Sequence, residues 1–463
     1  MSFTSLHFYL FLIFILCLLR FIPSNKLKKT VLLIASYWFY MSWDWRFGAL
    51  LFVMTAVNFY CGKKIHCSIY AKRWLAVSII FSLGLLGFFK YFNFFLDNLD
   101  AMAALFGMSS HVGILQVLLP VGISFYTFQA LSYTIDIYKK ELEPVNSLAD
   151  FALFVSFFPQ LVAGPIVRAS YFLPQLSQNN PVNHATQQHA VMLIIKGLIK
   201  KIILADILAV HIVDPAFANY SELSSAFLLL ALVAYSFQVY LDFSAYTDIA
   251  RGSAYLLGYK LPINFNRPYL AHSISNFWQR WHISMSSFFR DYLYHGVGGS
   301  KYGNVYINLF ITFIAIGFWH GAGWNFLLYG FCHGAVVGIE RFGRQYGWFQ
   351  LNTGWLHIVA ILRTFLIVCL LRVMFRAESL ADANQYMQAI WHNTQLPFDL
   401  TIIGALSLIA AIVLHFIPMR MIDNWQQRFV SLPHFIQASS IVLLLFSLIT
   451  FGSAEAPFIY FQF

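Results

Sequence analysis

The sequence predicts an all-α, polytopic integral membrane protein. Of its 463 residues 59% are hydrophobic and 19% aromatic while only 10% are charged, and the mean hydropathy is +0.67. Long apolar runs separated by short basic loops repeat along the whole chain, which is how membrane-crossing helices read in sequence. The formal charge of +10 is spread through those loops. That distribution fits positive-inside orientation and contact with anionic membrane lipid, and no nucleic-acid partner is expected.

The first run, residues 6–19, is followed by Arg20, Lys26, Lys28 and Lys29. Basic residues after the apolar stretch, with no small-residue cleavage site, predict an uncleaved span that starts outside and ends in the cytoplasm. Apolar runs follow at 31–41, 47–61, 74–96, 113–135, 151–167, 190–213, 224–243, 305–319, 324–339, 357–375, 400–417 and 435–452. Several are shorter than the roughly 20 residues of a simple span, so about 11 to 13 transmembrane or re-entrant elements are expected. Lys63, Lys64, Lys72 and Arg73 mark a cytoplasmic loop, whereas 97–112 holds two acids and no Lys or Arg and should face the other side. The five cysteines form no CxxC pair and imply neither a disulfide framework nor a zinc site.

Some polar residues interrupt these runs. Asp136 ends a run just before Lys139 and Lys140 and reads as an interfacial acid. In Phe157 to Arg168, Pro159, Gly164 and Pro165 exclude a regular helix through an apolar stretch, which is then a loop between spans or, as the apolar flanks favour, a re-entrant turn lining a cavity. Asp242 and Asp248 lie six apart, about 240° around a helix, so they do not share a face. Asp242 is expected to be buried and paired, and Asp248 to meet Arg251. From Ile274 to Tyr292, apolar residues at helical spacing predict one amphipathic helix, with His282 at the edge of its stripe. Such a helix lies on anionic lipid or folds beneath a cavity so that His282 faces His320. The glycine-rich 296–301 lacks the spacing of a phosphate loop.

The segment Ser275 to Gly334 organises the chain. Val305 to Trp319 is apolar except for Asn308 and Thr312, and after Gly317-Phe318-Trp319-His320-Gly321-Ala322-Gly323 the apolar pattern resumes. Fifteen helical residues cover roughly 22 Å, so His320 lies deep in the hydrocarbon at a helix break. An ionisable group there is a candidate functional residue, and a core histidine bonded to a carbonyl is the competing reading.

LPVGISFYTFQALSYTIDIY from Leu119, LFVSFFPQLVAGPIVR from Leu153, YLDFSAYTDIARG from Tyr240, LPINFNRPYLAHSISNFWQRWHISMSSFFRDYLY from Leu261, GFWHGAGWNFLLYGFCHG from Gly317 and the terminal FIYFQF carry a resemblance. Together they resemble the membrane-bound O-acyltransferase (MBOAT) family, and most of all its alginate- and peptidoglycan-acetylating branch. The resemblance covers roughly 119–340 and the tail. It implies a ring of membrane helices around a thinned core crossed by a tunnel, with 1–112, 113–345 and 346–463 as N-terminal helices, catalytic core and C-terminal helices of one integrated domain. It further implies that His320, in FWHG, and His282, in RWHIS, are catalytic. Trp319, Trp281 and Trp324 are expected to wall the tunnel, Arg280 and Arg267 to meet a phosphate-bearing donor, and Asp242 and Asn266 to join substrate binding. No tightly bound cofactor and no metal is expected, acetyl-CoA being a substrate. The implied partners are a polysaccharide acceptor and a periplasmic acetyltransferase of the SGNH type. Ala245-Tyr246 departs from the commoner Gly-Tyr, and FLLYGFCHG leans toward the D-alanyl-transferring branch. Two alternatives stand beside acetyl transfer: D-alanyl transfer from a carrier protein, and an acyl-group channel without chemistry.

Overall fold

The computed structural model describes residues 1–463 except 109–117, 163, 179–180, 349–353, 434, 438, 441, 444–445, 447–457 and 460–463. The start of the 113–135 run, part of the 435–452 run and the last residues of the FIYFQF tail therefore lie outside the described residues. The described residues are helical, with no strand among them. They divide into two compact units, Met1–Gln187 with Ser253–Pro262, and Gln188–Gly252 with Ile263–Phe463.

The first unit contains α1 (Leu6–Arg20), α2 (Asn25–Met41), α3 (Trp45–Cys67), α4 (Ala71–Leu105), α5 (Ile123–Tyr138), α6 (Leu148–Ser156), α7 (Phe158–Leu161) and α8 (Ala169–Ser177). Side chains close the starts of several helices: Ser5 accepts from Phe8, Ser24 from Leu27 and Ser147 from Asp150. Asp44 does the same for α3, and the hydrogen-bonded guanidinium of Arg46 holds its carboxyl below the usual carboxylate range. α5 is buried almost throughout, its polar side chains Thr127, Gln129 and Thr134 included. Where α3, α4 and α5 meet, Asn58 Nδ2 donates to Ser82 Oγ (3.0 Å), Ser78 Oγ donates to Asn58 Oδ1 (2.7 Å), and Ser78 and Thr134 share a bond of 2.8 Å. Polar side chains bonding across helices are how a membrane core satisfies groups that lipid cannot.

The expected interruption at 157–168 is present. α6 ends at Phe157, α7 is a single turn with Pro159 near its start, and Pro165 to Arg168 is non-helical. Asp136, in the last turn of α5, is 2% exposed and accepts from Ser170 at 3.4 Å.

The second unit contains most of α9 (His184–Leu198), then α10 (Asp206–Leu208) and α11 (Asp214–Ala218) with wide π turns at 199–205 and 209–213, and most of α12 (Ser225–Leu256). After these come α13 (Ile274–Arg280), α14 (Ile283–Phe288), a π turn at 289–294, α15 (Val305–His320), α16 (Trp324–Gln345), α17 (Gly354–Arg376), α18 (Leu380–His392), α19 (Ile402–Phe416) and α20 (Met419–Ser431). Among the described residues, α4, α12 and α17 are long and apolar enough to cross a membrane, with α1 and α15 shorter, and α19 and α20 meet at a bend of 100°. α12 is the buried one: 78% of its apolar window is covered. The amphipathic α18 and α20 escaped the apolar-run reading because half of each surface is polar.

The single amphipathic helix expected over 274–292 is not formed. Its apolar stripe is buried, from Ile274 (0% exposed) to Phe288 (7%), but the helix breaks at Trp281 and His282. Trp281 is extended and His282 left-handed, so the two short helices bury one stripe from different directions.

Asn58→Ala removes the centre of the α3–α4–α5 network and leaves buried hydroxyls to find new partners. The expected loss is about 1 kcal/mol, read as a lower unfolding midpoint in detergent. An unchanged midpoint would show that the network adds nothing.

Candidate active site

α15 begins at Asn304, whose side chain accepts from Tyr306 (2.9 Å) and Ile307 (3.4 Å). Asn308, a polar residue in this largely apolar helix, donates to the carbonyls of Gly299 (2.9 Å) and Tyr302 (3.0 Å). The glycine-rich 296–303 is thus a turn gripped by α15. The helix ends at His320, Gly321 and Gly323 are extended, and α16 starts at Trp324. α15 and α16 pack backbone to backbone: a Cβ on Gly317 would lie 2.2 Å from the Phe326 carbonyl oxygen, and one on Gly330 2.3 Å from that of Phe313. Only glycine permits such an approach. It leaves the His320 ring 3% exposed as a residue, edge-on to Trp319 (4.8 Å between centroids), Phe375 (5.1 Å) and Tyr329 (6.2 Å).

His282 is fully buried, with φ 43°. A non-glycine residue held there costs on the order of 1–3 kcal/mol and persists only when its surroundings fix it. Asn264 does much of the fixing. Its Oδ1 accepts from the Ser284 N–H (3.1 Å) and hydroxyl (2.9 Å), lies 3.3 Å from His282 Nδ1, and its carbonyl accepts the Ile283 N–H (2.9 Å). Two residues along, Asn266 N–H donates to the Arg280 carbonyl at 2.9 Å. The segment 264–266 therefore runs alongside 280–284 and caps α14 from outside. Phe243 (4.7 Å) and Trp319 (5.6 Å) complete the surround of the His282 ring. Trp319 thus touches both histidines.

The other expected residues divide. Trp281 (1% exposed) and Trp319 (4%) lie in the same cluster as the histidines, whereas Trp324 is 57% exposed. Arg280 donates to Asn276 (3.0 Å) and to the Asn266 carbonyl (3.3 Å). Arg267, at φ 46°, donates through Nε (3.0 Å) and Nη2 (2.8 Å) to the His415 carbonyl and so closes the C-terminal end of α19. Asp242 is buried and paired: it lies 3.0 Å from Lys201, which also meets Asp206 at 2.7 Å, and its Oδ2 accepts the Ile459 N–H at 2.8 Å. Phe458 stacks on Tyr246 at 4.0 Å beside it. Asp248 meets Arg251 at 3.8 Å as expected, but Lys200 is nearer at 2.7 Å. A cavity of about 970 Å³ opens beside α12, lined among others by Lys200, Tyr240, Asp248, Asn264, Asn266, Arg267 and His415.

The sequence profile of the membrane-bound O-acyltransferase family matches residues 139–371, a stretch that holds both histidines. Over 381 residues the chain is 38% identical to the Pseudomonas putida protein named probable alginate O-acetylase AlgI, covering 81% of this chain and 76% of that protein. The chain belongs to the membrane-bound O-acyltransferase family. It is a membrane-embedded O-acyltransferase. The MBOAT chain is also 37% identical to the Helicobacter pylori peptidoglycan O-acetyltransferase, over 78% of itself and 73% of that protein. Its likeness to the Bacillus subtilis teichoic acid D-alanyltransferase is lower, 28% over 54% of this chain and 66% of that one.

In this MBOAT site, sequence reasoning passed over Asn264, His333, His415 and Arg372. Asn264 carries no sequence signal beyond being polar in an extended stretch. His333 is fully buried and accepts from Trp278 Nε1 at 3.3 Å. Arg372 was visible in principle: it is a permanent cation inside the apolar run 357–375, which by itself marks a functional position. It is 1% exposed, and its guanidinium lies 4.4 Å from the Trp281 ring centroid. A desolvated cation–π contact contributes about 2 kcal/mol, comparable with the backbone strain of the adjoining His282.

Gly317→Ala drives a methyl group into the Phe326 carbonyl and must separate α15 from α16. The expected result is a loss of folded, monodisperse protein on gel filtration and of acyl transfer together. Wild-type behaviour in both would show that the hairpin tolerates a wider spacing.

Proposed function

We propose that this protein takes an acetyl group from a cytoplasmic thioester, acetyl-CoA, and passes it through the bacterial inner membrane for O-acetylation of an extracytoplasmic polysaccharide. The observation that carries the reading is the convergence of two buried histidines on Trp319, in a chain similar to proteins named for alginate and peptidoglycan O-acetylation.

His320 acts as general base. Neutral imidazole, with an ordinary pKa near 6.5, accepts a proton from an attacking hydroxyl near neutral pH. The hydroxyl oxygen bonds to the thioester carbonyl carbon, the C–S bond breaks, and the proton taken by imidazole passes to the departing thiolate. His282, held by Asn264, orients the thioester or the acceptor. The cavity suits the donor's phosphates. Lys196, Lys200, Arg251, Arg267 and Arg428 line it against one carboxylate, that of Asp248. At its wall the Asn264 Nδ2 and both His415 ring nitrogens are buried without a hydrogen-bond partner among the described residues, as groups reserved for an amide-bearing arm would be. The acceptor is a periplasmic SGNH-type transferase or the glycan itself, and the N-terminus faces the periplasm.

Radiolabelled acetyl-CoA is supplied to proteoliposomes holding the protein and its genomically adjacent periplasmic partner. Label is expected to reach the partner or glycan with wild type, and to fall at least about 100-fold in His320→Ala, the scale of a lost general base. His282→Ala assigns the second histidine. Equal transfer by His320→Ala sinks this mechanism in favour of a channel. Transfer only from a D-alanyl-charged carrier protein would favour the D-alanyl reading, which the Bacillus subtilis relative supports.

A further inference from the structure

Arg372 lies on α17, one residue beyond the family-matched stretch. A guanidinium cannot shed its charge at any accessible pH, and burying one in a helix of the hydrocarbon zone is tolerated where it serves a site. Its surroundings are aromatic: the Trp281 ring at 4.4 Å and the Phe375 ring at 5.3 Å. Each ring leads to a histidine. Trp281 precedes the left-handed His282 in the chain and stacks on Phe277 at 5.5 Å with 18° between planes. Phe375 stands edge-on to His320 at 5.1 Å and to Tyr329 at 5.4 Å.

We infer that Arg372 is the positioning residue that sets the two histidines relative to each other, one cation gripping the ring of Trp281, the residue that precedes His282 in the chain, and the ring of Phe375, which stands edge-on to His320. The inference rests on the acyl-transfer reading above. The planar guanidinium can lie flat on one ring while its edge meets another, whereas a lysine ammonium is a point charge on a flexible stem and cannot hold both. Because the grip acts on the geometry of the reacting groups and not on the cavity lined by Lys200 and His415, it governs turnover and leaves donor affinity alone.

The test compares wild type, Arg372→Lys, Arg372→Met and Trp281→Phe in the proteoliposome assay, with acetyl-CoA concentration varied to separate kcat from KM. The folded fraction of each is taken from gel filtration. Both Arg372 variants are expected to lose kcat by 10-fold or more per folded molecule with KM changed less than 2-fold, and lysine is not expected to rescue. In the Trp281→Phe background, Arg372→Lys is expected to cost far less than in wild type, because the ring through which it acts has changed. Arg372→Met testing the loss of charge has the greater risk of misfolding, so Arg372→Lys decides. Full kcat in folded Arg372→Lys, a raised KM with unchanged kcat, or strict additivity with Trp281→Phe overturns the inference and leaves the acyl-transfer reading intact. Absence of acetyl transfer by wild type overturns that reading, and this inference with it.

Discussion

The candidate site in the second unit rests on the touching backbones of α15 and α16. Two glycines, Gly317 and Gly330, bring the helices so close that a single methyl group at either would overlap a carbonyl oxygen. That contact fixes where α15 ends, and its end is His320. It also turns Trp319 toward the pocket from which His282 projects. In lipid, where apolar side chains gain nothing by meeting one another rather than acyl chains, close backbone packing is a principal source of helix association. The hairpin is therefore both a tight local packing of the second unit and the frame that holds His320 and Trp319.

Within each unit, interior polar groups are gathered in small sets. Asn58 with Ser78, Ser82 and Thr134 serves the first unit. Lys201 with Asp206 and Asp242 serves the second, as does Asn264 with Ser284 and His282. None of these groups could face hydrocarbon singly without a large desolvation penalty. Each set joins elements distant in sequence, so polarity here specifies which helices meet, while the apolar residues supply most of the buried area.

The general architecture was legible in the sequence because hydropathy reports burial in lipid directly. The helices α3, α4, α15, α16 and α17, the break at Pro159 and the break after His320 follow from apolar run length and from proline and glycine placement. His320 stood out because it is an ionisable group where a leucine is expected. His282 was harder: its spacing fits an unbroken amphipathic helix, and the left-handed turn that buries it is imposed by Asn264, whose pairing with 280–284 is a tertiary fact with no local periodicity. The amphipathic α18 and α20 were missed for a related reason, since an apolar-run reading sees only helices that are greasy all round. The partners that Arg280 and Arg267 take within the fold, Asn276 and backbone carbonyls, are tertiary contacts that sequence cannot foresee.

The hydrogen bond from Ile459 to Asp242 spans 217 residues of chain. Translation and membrane insertion proceed from the N-terminus, so Asp242 is inserted long before Ile459 leaves the ribosome. During that interval Lys201 is the partner already at hand, and it keeps the carboxylate from lying alone in lipid. The tail then arrives at a prepared acceptor, and Phe458 closes over Tyr246. Docking of the tail is thus a late step of biogenesis, and a chain that stalls before residue 458 carries its two histidines without the final seal on α12.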